Sequence, residues 1–182
     1  MMKHQEKERI LKERARELAR EPEKKDTSGE YVRVVEFLLA YERYALEASY
    51  ICEVYPLKEL TPLPCTPPFV LGILNVRGRI FSVIDIRKFF ELPEKGITNL
   101  NKVIILSTDK PVPERIDGME FGILADAVSG VKSVPLHEIQ TSLFTLTGIR
   151  EDYLKGVTKD RTVILDAMKI LSDKRIVIHE QV

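Results

Sequence analysis

The chain has little of what most reaction centres require. Among its 182 residues there are two cysteines, Cys52 and Cys65, and three histidines, His4, His137 and His179. Two cysteines with no others to pair make no disulfide framework, and the thiols fit a reducing cytoplasm. The histidines are scattered, so no spacing resembles a zinc site and no metal is expected. Ser129 and Ser142 lack the strand–turn–helix context of an activated nucleophile. Neither a phosphate-binding P-loop nor a Gly-x-Gly-x-x-Gly turn occurs. Asp85, Asp126 and Asp166 form no recognisable acid–base pair. An enzyme is therefore not expected, and no cofactor is implied. Long apolar runs are missing too. None approaches the roughly 20 uncharged residues of a membrane helix, and Met1 to Glu6 has no signal-peptide core. Direct membrane contact is not expected.

One-signed charge is also missing, with 28 Lys/Arg balancing 28 Asp/Glu. The distribution is uneven. Residues 1–25 hold nine Lys/Arg against six Glu, and the remainder holds 19 against 22. A nucleic-acid-binding barrel would need a basic face with interleaved aromatics. Here the body is mildly acidic and aromatics are only 7% of residues, so nucleic acid is not an expected partner. The basic N-terminal segment is the one feature that could support that alternative.

What is present divides at residue 30. Residues 3–20 are rich in Lys, Glu, Arg, Leu and Ala. Ile10, Leu11, Ala15, Leu18 and Ala19 fall on one helical stripe, and Glu13 and Glu17 stand near Arg16 and Arg20. Glu21-Pro22 ends this helix, and residues 23–29 read as a polar linker. The stripe is too thin for a core of its own. The helix is either a solvated extension or a docking element for a partner or a second copy.

From Tyr31 the pattern is β. Val32 to Leu39 and Tyr44 to Ala48 read as a hairpin, followed by an extended stretch to Leu57. Five prolines between Pro56 and Pro68 mark an irregular connection. Strands follow at 102–107, 119–125 and 128–134, and a hairpin spans 153–165 around Lys159-Asp160. Asp166 reads as the cap of a short helix through Leu171, and Arg175 to His179 as a last strand. About ten short strands argue for an all-β protein of small barrels or a sandwich. Ten strands are awkward for one tight barrel and comfortable for two five-stranded ones.

The most informative segment is Phe69 to Phe90. Ile73, Leu74 and Val76 form a short apolar run, Arg77-Gly78 breaks it as a tight turn, and a β-branched strand resumes to Ile86. Arg87 to Leu92 reads as one helical turn. A bare arginine thus stands at a rigid hairpin tip with Asp85 and Arg87 close behind, the latter two read as a structural pair. With no reactive group beside it, such a tip fits a recognition surface.

The pattern Gly72-x-x-Asn75-Val-Arg77-Gly78-x-Ile80-x-x-Val83-Ile84-Asp85-Ile86-Arg87 closely resembles the signature of CheW-type chemotaxis coupling proteins. Phe37 to Val54, Gly122 to Gly130, Tyr153 to Gly156 and Val163 to Leu171 are similar to that family in order and spacing. Ser82 departs from it, standing where the family usually has proline. The extension before Tyr31 is a second departure.

The resemblance implies a non-enzymatic adaptor of two packed SH3-like five-stranded barrels, here with an N-terminal helical extension. The implied division is 1–29 for extension and linker, 30–175 for the CheW-like domain and 176–182 for the end. Within the domain, one barrel would take 42–98 and the other 31–41 plus 99–175. The implied partners are the regulatory domain of a CheA-type histidine kinase and the cytoplasmic tip of chemoreceptors. The place would be receptor arrays on the inner face of the membrane, and the pathway either motility or another chemosensory output. Carried over by position, the receptor-facing groove takes Ile51, Glu53, Gly72, Arg77, Gly78 and Gly156. A groove for a helix needs small residues for close approach, an apolar anchor and a charge for register. The glycines, Ile51, and Arg77 with Glu53 would supply these. Each glycine could equally be required by its backbone geometry. The kinase-facing surface would use Phe69, Val70, Phe89 and Phe90 if these are exposed; the alternative for each is a core side chain.

Overall fold

From Val70 to Val76 every second residue is buried: Val70, Gly72, Leu74 and Val76 point inward, whereas Asn75 is exposed. That period of two makes this stretch a strand with one face on a core. Similar stretches give ten strands in the computed structural model, which describes residues 30–93, 95–98, 100–109, 119–141 and 151–176. They are β1 (Tyr31–Leu39), β2 (Glu42–Glu47), β3 (Ile51–Pro56), β4 (Val70–Val76) and β5 (Arg79–Ile84). After the one-turn helix α1 (Ile86–Phe89) come β6 (Lys102–Thr108), β7 (Met119–Ala125), β8 (Ala127–Pro135), β9 (Leu154–Val157) and β10 (Val163–Leu165). The helix α2 (Ala167–Leu171) follows. The expected helix over 3–20, and any self-association through it, lies outside the described residues.

The strands form two five-stranded sheets, ordered β8-β1-β2-β10-β9 and β3-β6-β7-β5-β4. Each has one parallel pair, β2 with β10 and β5 with β7. Each is closed by the segment that follows its first edge strand. Beyond β8, Gln140 bridges to Val157 of β9; beyond β3, Thr61 bridges to Ile73 of β4. Both sheets therefore curl into small barrels, which leaves few open edges for unwanted pairing.

The registers show that the barrels are one motif built twice. Across the first runs the row Gly130, Glu36, Ala45, Ile164, Gly156. Across the second runs Glu53, Ile105, Gly122, Val83, Gly72. Each row ends on a glycine just after a bulge. Each hairpin then runs into an aspartate that caps a short helix: Asp85 accepts from the Arg87 N–H, and Asp166 from the Lys169 N–H. The Asp85 and Asp166 N–H groups in turn donate to Phe69 and Tyr153 carbonyls at 2.7 and 2.8 Å.

This pairing divides the chain differently from the expected 42–98 and 31–41 plus 99–175. Strand β2 stays in the first barrel because it is hairpin-paired to β1 and flanked by β10. Strands β6 and β7 are central in the second barrel. The first barrel is thus built from β1, β2, β8, β9 and β10, and the second from β3, β4, β5, β6 and β7. Of the last expected strand, Arg175 to His179, the first two residues lie in a turn, with the Ile176 N–H on the Asp173 carbonyl at 3.0 Å, and Val177 to His179 lie outside the described residues.

A shared core fills the space between the barrels. Phe37, Leu39 and Leu46 of the first meet Ile104, Leu106, Phe121 and Ile123 of the second, all at most 1% exposed. Each such side chain contributes roughly 1.5–3 kcal/mol on burial. Where the chain passes from β7 to β8, Asp126, its side chain 7% exposed, acts as a joint. It accepts from the Ala40 N–H at 2.7 Å, from Arg87 Nη1 at 2.7 Å and from Asn101 Nδ2 at 3.1 Å. Arg87 also grips Asp85 with Nε and Nη2, each at 2.8 Å. The expected Asp85–Arg87 pair is structural and reaches further than the sequence shows.

Candidate partner-docking site

Strands β4 and β5 are joined by two residues, Arg77 (φ +53°) and Gly78 (φ +85°), both in the left-handed region. Two positive angles in a row mark the turn that matches strand twist, and asparagine or glycine suit its first position best. Here an arginine takes it, at roughly 1–2 kcal/mol for the side chain's clash with its own backbone. Asn75 offsets part of this, its Oδ1 accepting the Gly78 N–H at 2.8 Å. The guanidinium meets Glu53 Oε1 at 3.0 Å, with the Arg77 side chain 78% exposed. An exposed pair of this kind contributes about 0.2–1 kcal/mol, which with the Asn75 hydrogen bond is of the same order as the strain. Arg77 is one of six non-glycine residues with positive φ among the described residues, and it places an exposed guanidinium at the tip of a two-residue hairpin.

Beside this pair, Arg79 binds Glu120, whose other oxygen accepts from Ser107 Oγ at 3.1 Å. Where the chain crosses from β2 to β3 through Ala48–Tyr50, a groove of about 470 Å³ opens. Tyr50, Ile51 and Cys52 line one side, and Ser107, Thr108 and Glu120 the other. Ile51 is half-buried, packed on the shared core with part of its surface toward the groove. The groove thus offers an apolar contact, hydroxyls and carboxylates, with Arg77 and Glu53 on the same barrel.

The expected glycines divide. Gly78 has open space around it and is required by its backbone angle. Gly72 has φ +143°, and a Cβ there would lie 2.1 Å from the Thr61 carbonyl oxygen. A Cβ on Gly156 would lie 2.3 Å from Ile139 Cγ2. The room these two create is taken by the segments that close each barrel, so it is not room for a partner helix. They also belong to different barrels, at matching ends of the two rows.

Phe69, Val70, Phe89 and Phe90 follow the core alternative rather than forming an exposed surface. Val70 and Phe90 are core residues, 8% and 6% exposed. Phe69 and Phe89 are half-buried and meet edge to face, with centroids 5.4 Å apart. Phe89 and Phe90 also stack against Tyr153 of the first barrel, so this cluster cements the two barrels. Arg175 covers it, its Cζ 4.5 Å from the Phe89 centroid. Asp173 accepts from both Arg175 and the Tyr153 hydroxyl. Burial pushes the Asp173 carboxyl up, but those hydrogen bonds outweigh it and hold it below the ordinary value. Burial, and then Asp173, raise the Tyr153 phenol.

The large apolar side chains that most face solvent among the described residues are others: Tyr41, Leu100, Ile80, Val131 and Ile97. Tyr41 lies in the β1–β2 turn with Lys95 Nζ 5.6 Å from its ring centroid. Its neighbour Ala40 and the Leu100 neighbour Asn101 are both hydrogen-bonded to Asp126, so Tyr41 and Leu100 stand on segments tied to one buried carboxylate. A large apolar residue within a turn was the only sequence signal for either. Among the described residues no cluster of His, Cys, Asp and Glu could hold a metal ion, and no helix is long and apolar enough to cross a membrane.

Comparison with known proteins agrees with this architecture. A family model described as the CheW-like domain matches residues 33–175. A chemotaxis protein CheW of Treponema pallidum is 29% identical over 156 residues, covering 82% of this chain and 87% of its own. One from Klebsiella aerogenes is 28% identical over 149 residues, covering 80% and 85%. Among solved structures, the scaffolding protein TtCheW of Thermoanaerobacter tengcongensis superposes with a TM-score of 0.62 at 29% identity, covering 78% of this chain and 86% of its own.

Proposed function

The chain belongs to the CheW-like domain family, a family of non-enzymatic chemotaxis scaffolds, and on that premise we propose that the rim of its second barrel is the receptor-coupling surface. In this reading the helical tip of a chemoreceptor lies along the groove beside Ile51 and is set in register by Arg77 and Glu53. Gly78 holds the arginine tip and Gly72 the wall of the same barrel, while Gly156, in the other barrel, takes no part in this surface. The observation that carries this is the exposed Arg77 guanidinium, paired with Glu53 at a two-residue hairpin tip of the barrel that bears the groove.

A scaffold needs a second face. For the regulatory domain of a CheA-type kinase we propose the turn surface of Tyr41, Ile97 and Leu100, in place of the buried phenylalanines. Asp126 anchors this surface and joins the two barrels, so the receptor and kinase faces are held in fixed relation. Signals would pass as small rigid-body shifts at the two interfaces. The working location is the receptor array at the inner face of the membrane, reached through the receptors.

The test is calorimetric titration of the full chain with a receptor-tip fragment and, separately, with the kinase regulatory domain, for wild type and Arg77→Glu. Loss of receptor binding with kinase binding intact supports the assignment. Equal receptor binding by both forms removes it.

A further inference from the structure

The matched registers allow the two barrel interiors to be compared position by position. Glu36 and Ile105 occupy the same place in their rows, facing Ala45 and Gly122. Thr162 and Phe81 precede Ile164 and Val83 of those rows by two residues, and Thr158 and Leu74 follow Gly156 and Gly72 by two. The second barrel thus fills its interior with Ile105, Phe81 and Leu74, where the first has a glutamate and two threonines.

The consequence is a cavity of about 100 Å³ in the first barrel, walled by Val34, Ala45, Val134 and Ile164. The Glu36 side chain is 7% exposed. Its Oε2 accepts from Lys132 Nζ at 2.7 Å and from Thr162 Oγ1 at 3.3 Å. Lys132 stands on the edge strand β8 with half its side chain in solvent, so its ammonium can be withdrawn without disturbing the barrel. Glu138 and Asp160 also border the cavity, Glu138 paired with Lys159 Nζ at 3.5 Å, so carboxylates still outnumber amines around it.

A buried ion pair adds little net stability over a well-packed apolar equivalent. The second barrel shows that the same frame accepts the apolar solution. The fold therefore does not demand a carboxylate inside the first barrel. We propose that this cavity is a binding site for a small primary alkylammonium of two or three carbons. Its NH₃⁺ replaces that of Lys132 on Glu36 and Thr162, and its alkyl part lies against Val34, Ala45 and Ile164. The volume is below the ~150 Å³ that admits a benzene ring, which limits the ligand to this size. Lys132 is the resident ammonium that a free one displaces.

The test is a titration of the full chain with n-propylammonium chloride, followed by the amide NMR signals of Thr158 and Thr162 against a sodium chloride control. Saturable shifts absent from the control are expected. Lys132→Met removes the competitor and should tighten binding about tenfold, the scale of one hydrogen bond to a charged group. Glu36→Gln should abolish it; Thr162→Val, which keeps shape, should weaken it and serves if the Gln variant does not fold. Shifts that match the sodium control, or no saturation in either wild type or Lys132→Met, would overturn the proposal and leave the cavity to water.

Discussion

Arg77, in the turn that follows the edge strand β4, and Glu53, on the opposite edge strand β3, meet through their side chains at 3.0 Å. The contact exists because the sheet curls closed, with Thr61 bridging to Ile73 below it. The pair is therefore a seam of the second barrel as well as an exposed charge at its rim. Its strength is small, so the seam can open without loss of the fold.

Replacing Arg77 by glycine should separate recognition from stability. Glycine removes the left-handed clash, so stability should stay level or rise by about 0.5–1 kcal/mol. Receptor-fragment binding should fall. Urea unfolding and calorimetry on one preparation measure both. A variant that loses stability and binding in parallel would mean the arginine is structural.

The glycines that end the two rows should behave in the opposite way. Gly72→Ala and Gly156→Ala place a methyl 2.1 Å from Thr61 O and 2.3 Å from Ile139 Cγ2. Overpacking of this kind costs about 1–3 kcal/mol, and Gly72 adds a backbone angle that alanine disfavours. Gly72→Ala should be the worse of the two, because its obstacle is backbone and that of Gly156 is first a side-chain methyl. Thermal unfolding ranks them. Partner affinity of the folded fraction should be unchanged for both.

Asp126→Ala should be the most damaging single polar change. It removes one of the carboxylates that hold Arg87 and strips the Ala40 N–H and Asn101 Nδ2 of an acceptor. Breaking a buried ion pair in this way costs about 3–5 kcal/mol. Arg79→Ala, which breaks the exposed pair with Glu120, should cost less than about 1 kcal/mol. Denaturant midpoints of the two variants provide the comparison, and similar losses would contradict the joint.

The strands were legible because their apolar residues alternate, and Asp166 as a cap because it precedes an apolar run. Which strands pair was not legible. The parallel contacts of β2 with β10 and β5 with β7 join residues far apart in sequence, and no local pattern encodes them. The barrel boundaries were misplaced for that reason. At the site, Arg77 and Gly78 were readable from the turn dipeptide. Gly72 and Gly156 were readable as special but not as filled, since the filling segments come from Thr61 and from Ile139 with Gln140. Phe69, Val70, Phe89 and Phe90 could not be told from surface anchors until the Tyr153 cluster placed them. Tyr41 and Leu100 were passed over because turn residues are read for backbone chemistry.

Alkaline stability should depend on Tyr44. Its hydroxyl donates to Glu42 Oε2 at 2.7 Å, and burial, reinforced by that carboxylate, raises the phenol well above its ordinary value. A raised folded value means that the unfolded chain loses this proton first. The contribution is fully present below about pH 10, the unfolded value, and is lost as pH rises toward the folded one. Tyr153 acts in the same direction. Asp173, held low, contributes on the acid side: its share is present above the unfolded carboxylate value and lost as pH falls through the folded one. The urea midpoint of wild type should therefore fall between pH 9 and pH 11, taking about 10 as the unfolded phenol value. Tyr44→Phe has no proton to lose, so its midpoint should be lower at neutral pH but fall less steeply over that interval. Parallel slopes for the two proteins would assign the alkaline limb to other groups.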